Sequence, residues 1–336
     1  LAAQGLNRLK MSGFDFSMNR SQLLNGTLPK EAGDRPSEFT VKFWGVRGDI
    51  PTPGLETLRY GGNTACVEIG VGGKCLIFDG GTGLRALGKH LVQEASFCEI
   101  PRHELIKREP SPVQAHLFFT HTHWDRIQGF PFFAPAFLEG NRFDIYGAVG
   151  ANGASIKQRL YDQMLRPHFP LPIQTMRSHL QFHDIAPGSV IQLDDVVVET
   201  IALNRSNGAL GYRITWNGHS VVYATDIETL PNQIDHGLLY LASQADLLIY
   251  DTAPHHRPRS DKLESFEQKP VWCLGVEAAI AAQVKQLALF HHDPDCSDDF
   301  LDRVEAEAQG LFPNLRFARE GVVIPMPAST SSSLKV

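Results

Sequence analysis

Apolar and polar residues alternate over residues 39–46 (FTVKFWGV), the two-residue period of a strand with one face in a core. Short runs of aliphatic, aromatic and β-branched residues at 66–69, 74–79, 116–120 and 143–146 predict further strands. Between the strands at 74–79 and 116–120, Leu84, Leu87 and Leu91 recur at helical spacing. The spacing predicts a helix over 82–93 that Thr82 is placed to cap.

A second series opens with a predicted helix at 156–165, ended by Pro167 and Pro170, and continues through strands at 190–193, 196–203, 210–216 and 220–225. Segments 238–242, 247–251, 276–284, 287–290 and 298–308 then alternate helix and strand. Strands lead and helices close each half. That order predicts an α/β fold of two mixed sheets packed face to face with helices outside, an αββα sandwich. Residues 39–325 form the expected single domain. Residues 1–38 are polar, dotted with glycine and proline, and read as a flexible or partner-binding extension, and 326–336 as a frayed tail.

Composition narrows the function classes. The 336 residues are 43% hydrophobic and 20% charged, ordinary for a globular chain, and no apolar run reaches the length of a membrane span. A cytoplasmic protein without a membrane partner is expected. The net charge of −6 supplies no field for phosphate backbones and counts against nucleic acid. Five cysteines without a C-x-x-C pair read as reduced thiols, not as a zinc knuckle or a disulfide framework.

The chemistry concentrates at His121-Thr122-His123-Trp124-Asp125-Arg126, directly after the apolar run 117–120. Two imidazoles and a carboxylate at alternate positions can converge on one zinc, iron or manganese ion. Around them lie glycine-rich turns: G-V-R-G-x-I-P-T-P-G from residue 45, Y-G-G-N-T from 60 and D-G-G-T-G from 79. The last could hold an anion on its amides or simply start a helix. Farther on come Y-A-T-D ending at Asp226, and F-H-H-D-P containing His291 and His292.

In this order the motifs resemble the metallo-β-lactamase superfamily, in the branch of the tRNA-processing enzyme ribonuclease Z and of cyclic phosphodiesterases. The resemblance covers roughly residues 40–310. It implies two metal ions at the mouth of the sandwich, bridged by an aspartate and by a water whose pKa they lower. Carried over by position, His121, His123 and Asp125 match motif ligands. Asp226 matches the bridge, and His291 or His292 the last ligand, His291 being the better match because it directly follows the apolar strand.

Three positions depart from that pattern. Arg126 stands where the fourth motif histidine belongs, Arg205 where a later loop supplies a histidine, and Lys269 where relatives carry a histidine that contacts the phosphate or protonates the leaving group. A guanidinium stays protonated and cannot ligate. About 4 Å from a divalent ion it opposes binding by roughly 8 kcal/mol, even at an effective dielectric near 20. The resemblance so modified implies a hydrolase fold without the dinuclear centre and without a metal cofactor. Such a protein would bind a partner protein or a small anion, a nucleotide or phosphate ester, through Arg126, Arg205 and Lys269. The alternative is a phosphodiesterase-like hydrolase using one divalent metal on a subset of His121, His123, Asp125, Asp226 and His291. Similar proteins commonly dimerise, which makes a homodimer a candidate state.

Overall fold

The computed structural model describes residues 38–96, 111–204, 208–228, 234–252 and 270–327. Its strands are β1 (Thr40–Gly45), β2 (Cys66–Val71), β3 (Lys74–Phe78), β4 (Gln114–Phe118), β5 (Arg142–Ala148), β6 (His179–Ile185), β7 (Val190–Leu193), β8 (Val196–Leu203), β9 (Ala209–Trp216), β10 (His219–Ala224), β11 (Leu247–Asp251), β12 (Leu287–Phe290), β13 (Leu315–Phe317) and β14 (Val323–Pro325). The helices are α1 (Gly83–Ser96), α2 (Trp124–Ile127), α3 (Ile156–Asp162), α4 (His236–Ala242), α5 (Val271–Ala281) and α6 (Asp298–Leu311).

Two seven-stranded sheets form, in the orders β14-β1-β2-β3-β4-β5-β6 and β13-β12-β11-β10-β9-β8-β7. Each mixes antiparallel hairpins with parallel neighbours, as β2 with β3 and β3 with β4 illustrate. This is the αββα sandwich that the alternation of elements predicts. Val41, Phe43, Val67, Ile69, Phe78 and Phe118 from one sheet pack with Val198, Tyr212, Ile214, Tyr223, Ile249 and Phe290 from the other. Leu84, Leu87 and Leu91 of α1 instead bury against the outer face of the first sheet, beside Ile77 and Leu117. The helical leucine spacing therefore marks an outer layer.

The structure adds elements that the apolar pattern lacks. β6 (HLQFHDI) has only partly buried or exposed positions, because an edge strand needs no continuous apolar face. β14 pairs with β1 over Thr40↔Pro325 to Lys42↔Val323, closing the first sheet with residues from the far end of the chain. α5 begins at Val271, five residues before the predicted start, directly after Pro270. Phe130 and Phe133 are fully buried, Phe133 edge-on to Phe143, so these two rings are packing. Among the described residues, Cys66 and Cys296 are free thiols. Among the described residues no helix is long and apolar enough to cross a membrane.

Candidate active site

The strands of an α/β sheet deliver side chains at their C-terminal ends. Here the ends of β3, β4, β10, β11 and β12 deliver Asp79, the His121–Arg126 segment, Asp226, Asp251 and His291 to one place. Asp79, Asp226 and His291 hold positive φ angles of 58°, 64° and 61°, a left-handed backbone costing about 1–2 kcal/mol for a residue with a Cβ. Such strain persists only where the surroundings impose it. Two glycines make the room: a Cβ on Gly48 would lie 2.8 Å from His291 Nε2, and one on Gly81 would lie 2.5 Å from the Asp125 carbonyl oxygen.

Arg126 is the centre of the arrangement. It is wholly buried, and its Nη1 donates to Asp79 Oδ2 at 2.9 Å, Tyr223 Oη at 3.0 Å and Thr225 Oγ1 at 3.1 Å. Nε lies 3.0 Å from Asp125 Oδ2, and Nη2 2.5 Å from Asp226 Oδ2. Burial opposes its charge, yet the carboxylates around it push the Arg126 pKa further up. The expectation that Arg126 meets a bound anion is therefore corrected. Its guanidinium faces three aspartates of its own chain and no opening.

His291 is clamped on both sides, Nδ1 at 3.1 Å from Asp251 Oδ1 and Nε2 at 3.1 Å from Asp125 Oδ2. Burial and Arg126 work against its charge, but Asp251, Asp226 and Asp125 outweigh them and push its pKa up to about 10. Burial works against Asp125 ionising, while His291 and Arg126 hold its carboxyl well below the usual range. His121 Nε2 lies 3.4 Å from Asp226 Oδ2 and its Nδ1 3.0 Å from Thr120 Oγ1. The His121 and His123 rings meet edge-on at 4.5 Å, and between them Thr122 Oγ1 accepts a bond from Arg159 of α3.

The ligand set for two metals can be tested against these contacts. Oxygen and nitrogen atoms of Asp226, Asp251 and His291 lie within 4.8 Å of one another, a spacing that suits one cation. At the second position that the resemblance implies, the guanidinium already holds Asp125 and Asp226. It offers no lone pair. Residues there do not fit a second metal ion.

The structure thus brings His121, His123, Asp125, Arg126, Asp226 and His291 together. Arg205 and Lys269 lie outside the described residues. His292 turns away from the site: its Nε2 is 2.8 Å from the Ala318 carbonyl oxygen, its Nδ1 3.3 Å from Thr252 Oγ1, and its ring stacks on Phe317. It is not a candidate ligand. The D-G-G-T-G amides are also committed internally, Gly80 N to the Arg126 carbonyl and Gly81 N to that of Ala65, so they hold no anion. Asp79 and Tyr223 belong to the site although the sequence shows them only as the first residues of the D-G-G-T-G and Y-A-T-D stretches, with no role attached, and Asp251 belongs to it although no motif marks it. The one sequence signal is an acid or tyrosine at or next to a strand's C-terminal end.

His292 carries a pH prediction. Burial pushes its pKa down to about 3, against about 6.5 in an unfolded chain. Between those values the unfolded chain binds the proton and the fold does not, so stability falls as pH drops through this window. The contribution is on the order of 4 kcal/mol. Urea denaturation from pH 7 to pH 4 is expected to show that decline, with a shallower slope for His292→Gln. An identical slope in the variant would assign the acid sensitivity elsewhere.

Comparison with known proteins agrees with the fold. The profile of the Beta-lactamase superfamily domain matches residues 76–292. A ribonuclease Z of Crocosphaera subtropica is 24% identical over 290 residues, covering 68% of this chain and 86% of that protein. Among solved structures, the metallo-beta-lactamase fold protein YhfI from Bacillus subtilis superposes with a TM-score of 0.58 at 17% identity, over 86% of this chain and 99% of that one. Human tRNase Z, short form, gives 0.57 at 18% identity, over 86% and 100%. At these identities the structural likenesses establish the fold.

Proposed function

The chain belongs to the beta-lactamase superfamily, and we propose that within this family of hydrolase fold it has exchanged the second metal ion for Arg126 and works by binding a phosphate ester. The observation that carries this reading is the buried guanidinium among Asp79, Asp125 and Asp226. Protein cations then balance carboxylates that a metal ion would otherwise bridge. Without a metal pair no water is activated between two ions, and the site keeps its shape while losing that chemistry.

The ligand class follows from the relatives. A ribonuclease acts on phosphodiesters, so a nucleotide, another phosphate ester or an RNA strand is the ligand to test. The net charge alone counts against RNA, but the ribonuclease Z likeness counts for it, and RNA stays among the ligands. Because Arg126 is spent internally, Arg205 and Lys269, with His121 and His123, are the groups assigned to the anion. Isothermal titration with AMP in EDTA is expected to show saturable binding that Lys269→Ala weakens. No heat in EDTA, with binding restored by zinc, would refute the reading.

A second reading rests on the Asp226, Asp251 and His291 spacing and on the hydrolase fold. One divalent ion would then serve a phosphodiesterase. Turnover of bis(p-nitrophenyl) phosphate that needs added zinc or manganese and disappears in His123→Ala would establish it. Absence of turnover with either metal would exclude it.

A further inference from the structure

We propose that the candidate active site continues into a subsite on its rim, where Arg159 of α3 takes a second phosphate group of the ligand and Trp124 stacks on the ligand's aromatic ring. The ligand class so named is a nucleotide whose sugar carries two phosphates, and the proposal rests on the phosphate-ester reading of the first site.

Arg159 is the exception among the described arginines that are not exposed. Arg47 meets Asp298, Arg126 meets three aspartates, and Arg319 meets Asp302 and Glu305. Arg213 caps the C-terminal end of α4 through the carbonyls of Leu241 and Ser243. Arg159 is partly buried yet makes no ion pair among the described residues. Its Nη1 donates to Thr122 Oγ1 at 2.8 Å, its Nη2 donates to the Ala148 carbonyl, and its Nε is buried without a partner. Burial works against its charge, and the acid that supports it, Asp184, accepts the Ile156 amide instead. Two neutral acceptors thus hold the guanidinium in place without balancing it, and each terminal nitrogen keeps a second N–H for phosphate oxygens.

The place of this cation defines the ligand. Thr122 stands between His121 and His123 just after β4, and Ala148 ends β5, so Arg159 sits at the same strand ends as the site. The backbone at His123 is extended, with φ −63° and ψ 157°. Side chains therefore alternate: His121 and His123 turn one way, their rings 4.5 Å apart, and Thr122 and Trp124 turn the other. Trp124 is 61% exposed although Asp125, the next residue, is buried in the site. A single exposed tryptophan is ordinary; beside an unbalanced cation on the same side of one segment, it supplies a π face next to a charge. Thr122 and Trp124 are separated by roughly 7 Å of extended chain. The sugar of a nucleotide bridges such a span between phosphate and base.

The full chain, in EDTA and phosphate-free buffer, is titrated calorimetrically with adenosine 3′,5′-bisphosphate, AMP and ribose 5-phosphate. The bisphosphate is expected to bind about tenfold tighter than AMP, the yield of one charge-assisted contact. AMP is expected to bind about tenfold tighter than ribose 5-phosphate, the yield of one stacked base. Arg159→Gln should bring the first ratio near one and leave the second. Trp124→Ala, at an exposed position, should bring the second near one and leave the first, and Trp124→Phe should keep most of it. Equal affinities of the parent for AMP and the bisphosphate, equal affinities for AMP and ribose 5-phosphate, or ratios that these variants do not change would overturn the proposal while the reading of the first site stands. No saturable binding of AMP or of ribose 5-phosphate would overturn both. The ratios in the parent do not depend on any variant folding.

Discussion

Replacing Arg126 by methionine is expected to destabilise the fold by about 3–5 kcal/mol, the cost of leaving buried charges without their partner. Methionine fills much of the same volume, so the loss is electrostatic rather than a cavity. Arg126 reaches Asp79 after β3 in one sheet and Tyr223, Thr225 and Asp226 at the end of β10 in the other. Its removal therefore strands acids on both sides of the sandwich. The sign with pH follows. Without Arg126 the aspartates resist ionisation in the fold, their pKa values rise above those of the unfolded chain, and the deficit grows as pH rises. Urea midpoints at pH 5.5 and pH 8 measure it, and the larger loss is expected at pH 8. A variant as stable as the parent would show that the guanidinium does not neutralise this centre.

Arg126→His is expected to behave differently. It removes the cation and restores the residue that the family resemblance places in the motif, beside Asp125, Asp226 and His291. These would hold a divalent ion at the second position, and proton release from His291 would accompany binding, since a ligating imidazole is neutral. Zinc should then raise the melting temperature of the variant by several degrees, and the parent's much less, as expected for a ligand that binds the fold alone. Equal zinc responses in the two proteins would mean that Arg126 is not what keeps a second metal out.

The sequence and the structure differ in instructive places. The long-range architecture was legible because apolar alternation and leucine spacing report burial directly. Motif residues His121, His123, Asp125, Asp226 and His291 were legible because each follows an apolar run, which delivers it to a strand end. His292 was ambiguous by the same rule. One residue farther along, its side chain turns toward Ala318 and Phe317 instead of the site. Asp251 escaped notice because a lone acid carries no spacing signal, and Asp79 stood out only as the start of a glycine-rich turn; the meeting of distant strand ends makes them partners of His291 and Arg126. The role of Arg126 was half legible. Its charge excluded metal ligation, but its direction depends on Asp79 and Tyr223, which no local pattern connects to it.

Arg47 shows the same limit. In the sequence it stands in the glycine-rich turn that begins at Gly45, with no role attached. In the fold it is completely buried, bonding the carbonyls of Gly61, Asp293 and Cys296 and reaching Asp298 of α6. Backbone oxygens from sequence-distant turns are invisible to a reading by residue type. They are also the reason why a charged side chain can be fully interior without an exposed partner.

The central claim is that a guanidinium stands where the family's second metal would be, and metal stoichiometry tests it most directly. The full chain, expressed with zinc, iron and manganese available and purified without chelator, would be measured by inductively coupled plasma mass spectrometry. A guanidinium in the second position predicts no more than one equivalent of these metals per chain in total. Close to two equivalents, removable by EDTA and restored on adding zinc, would contradict it.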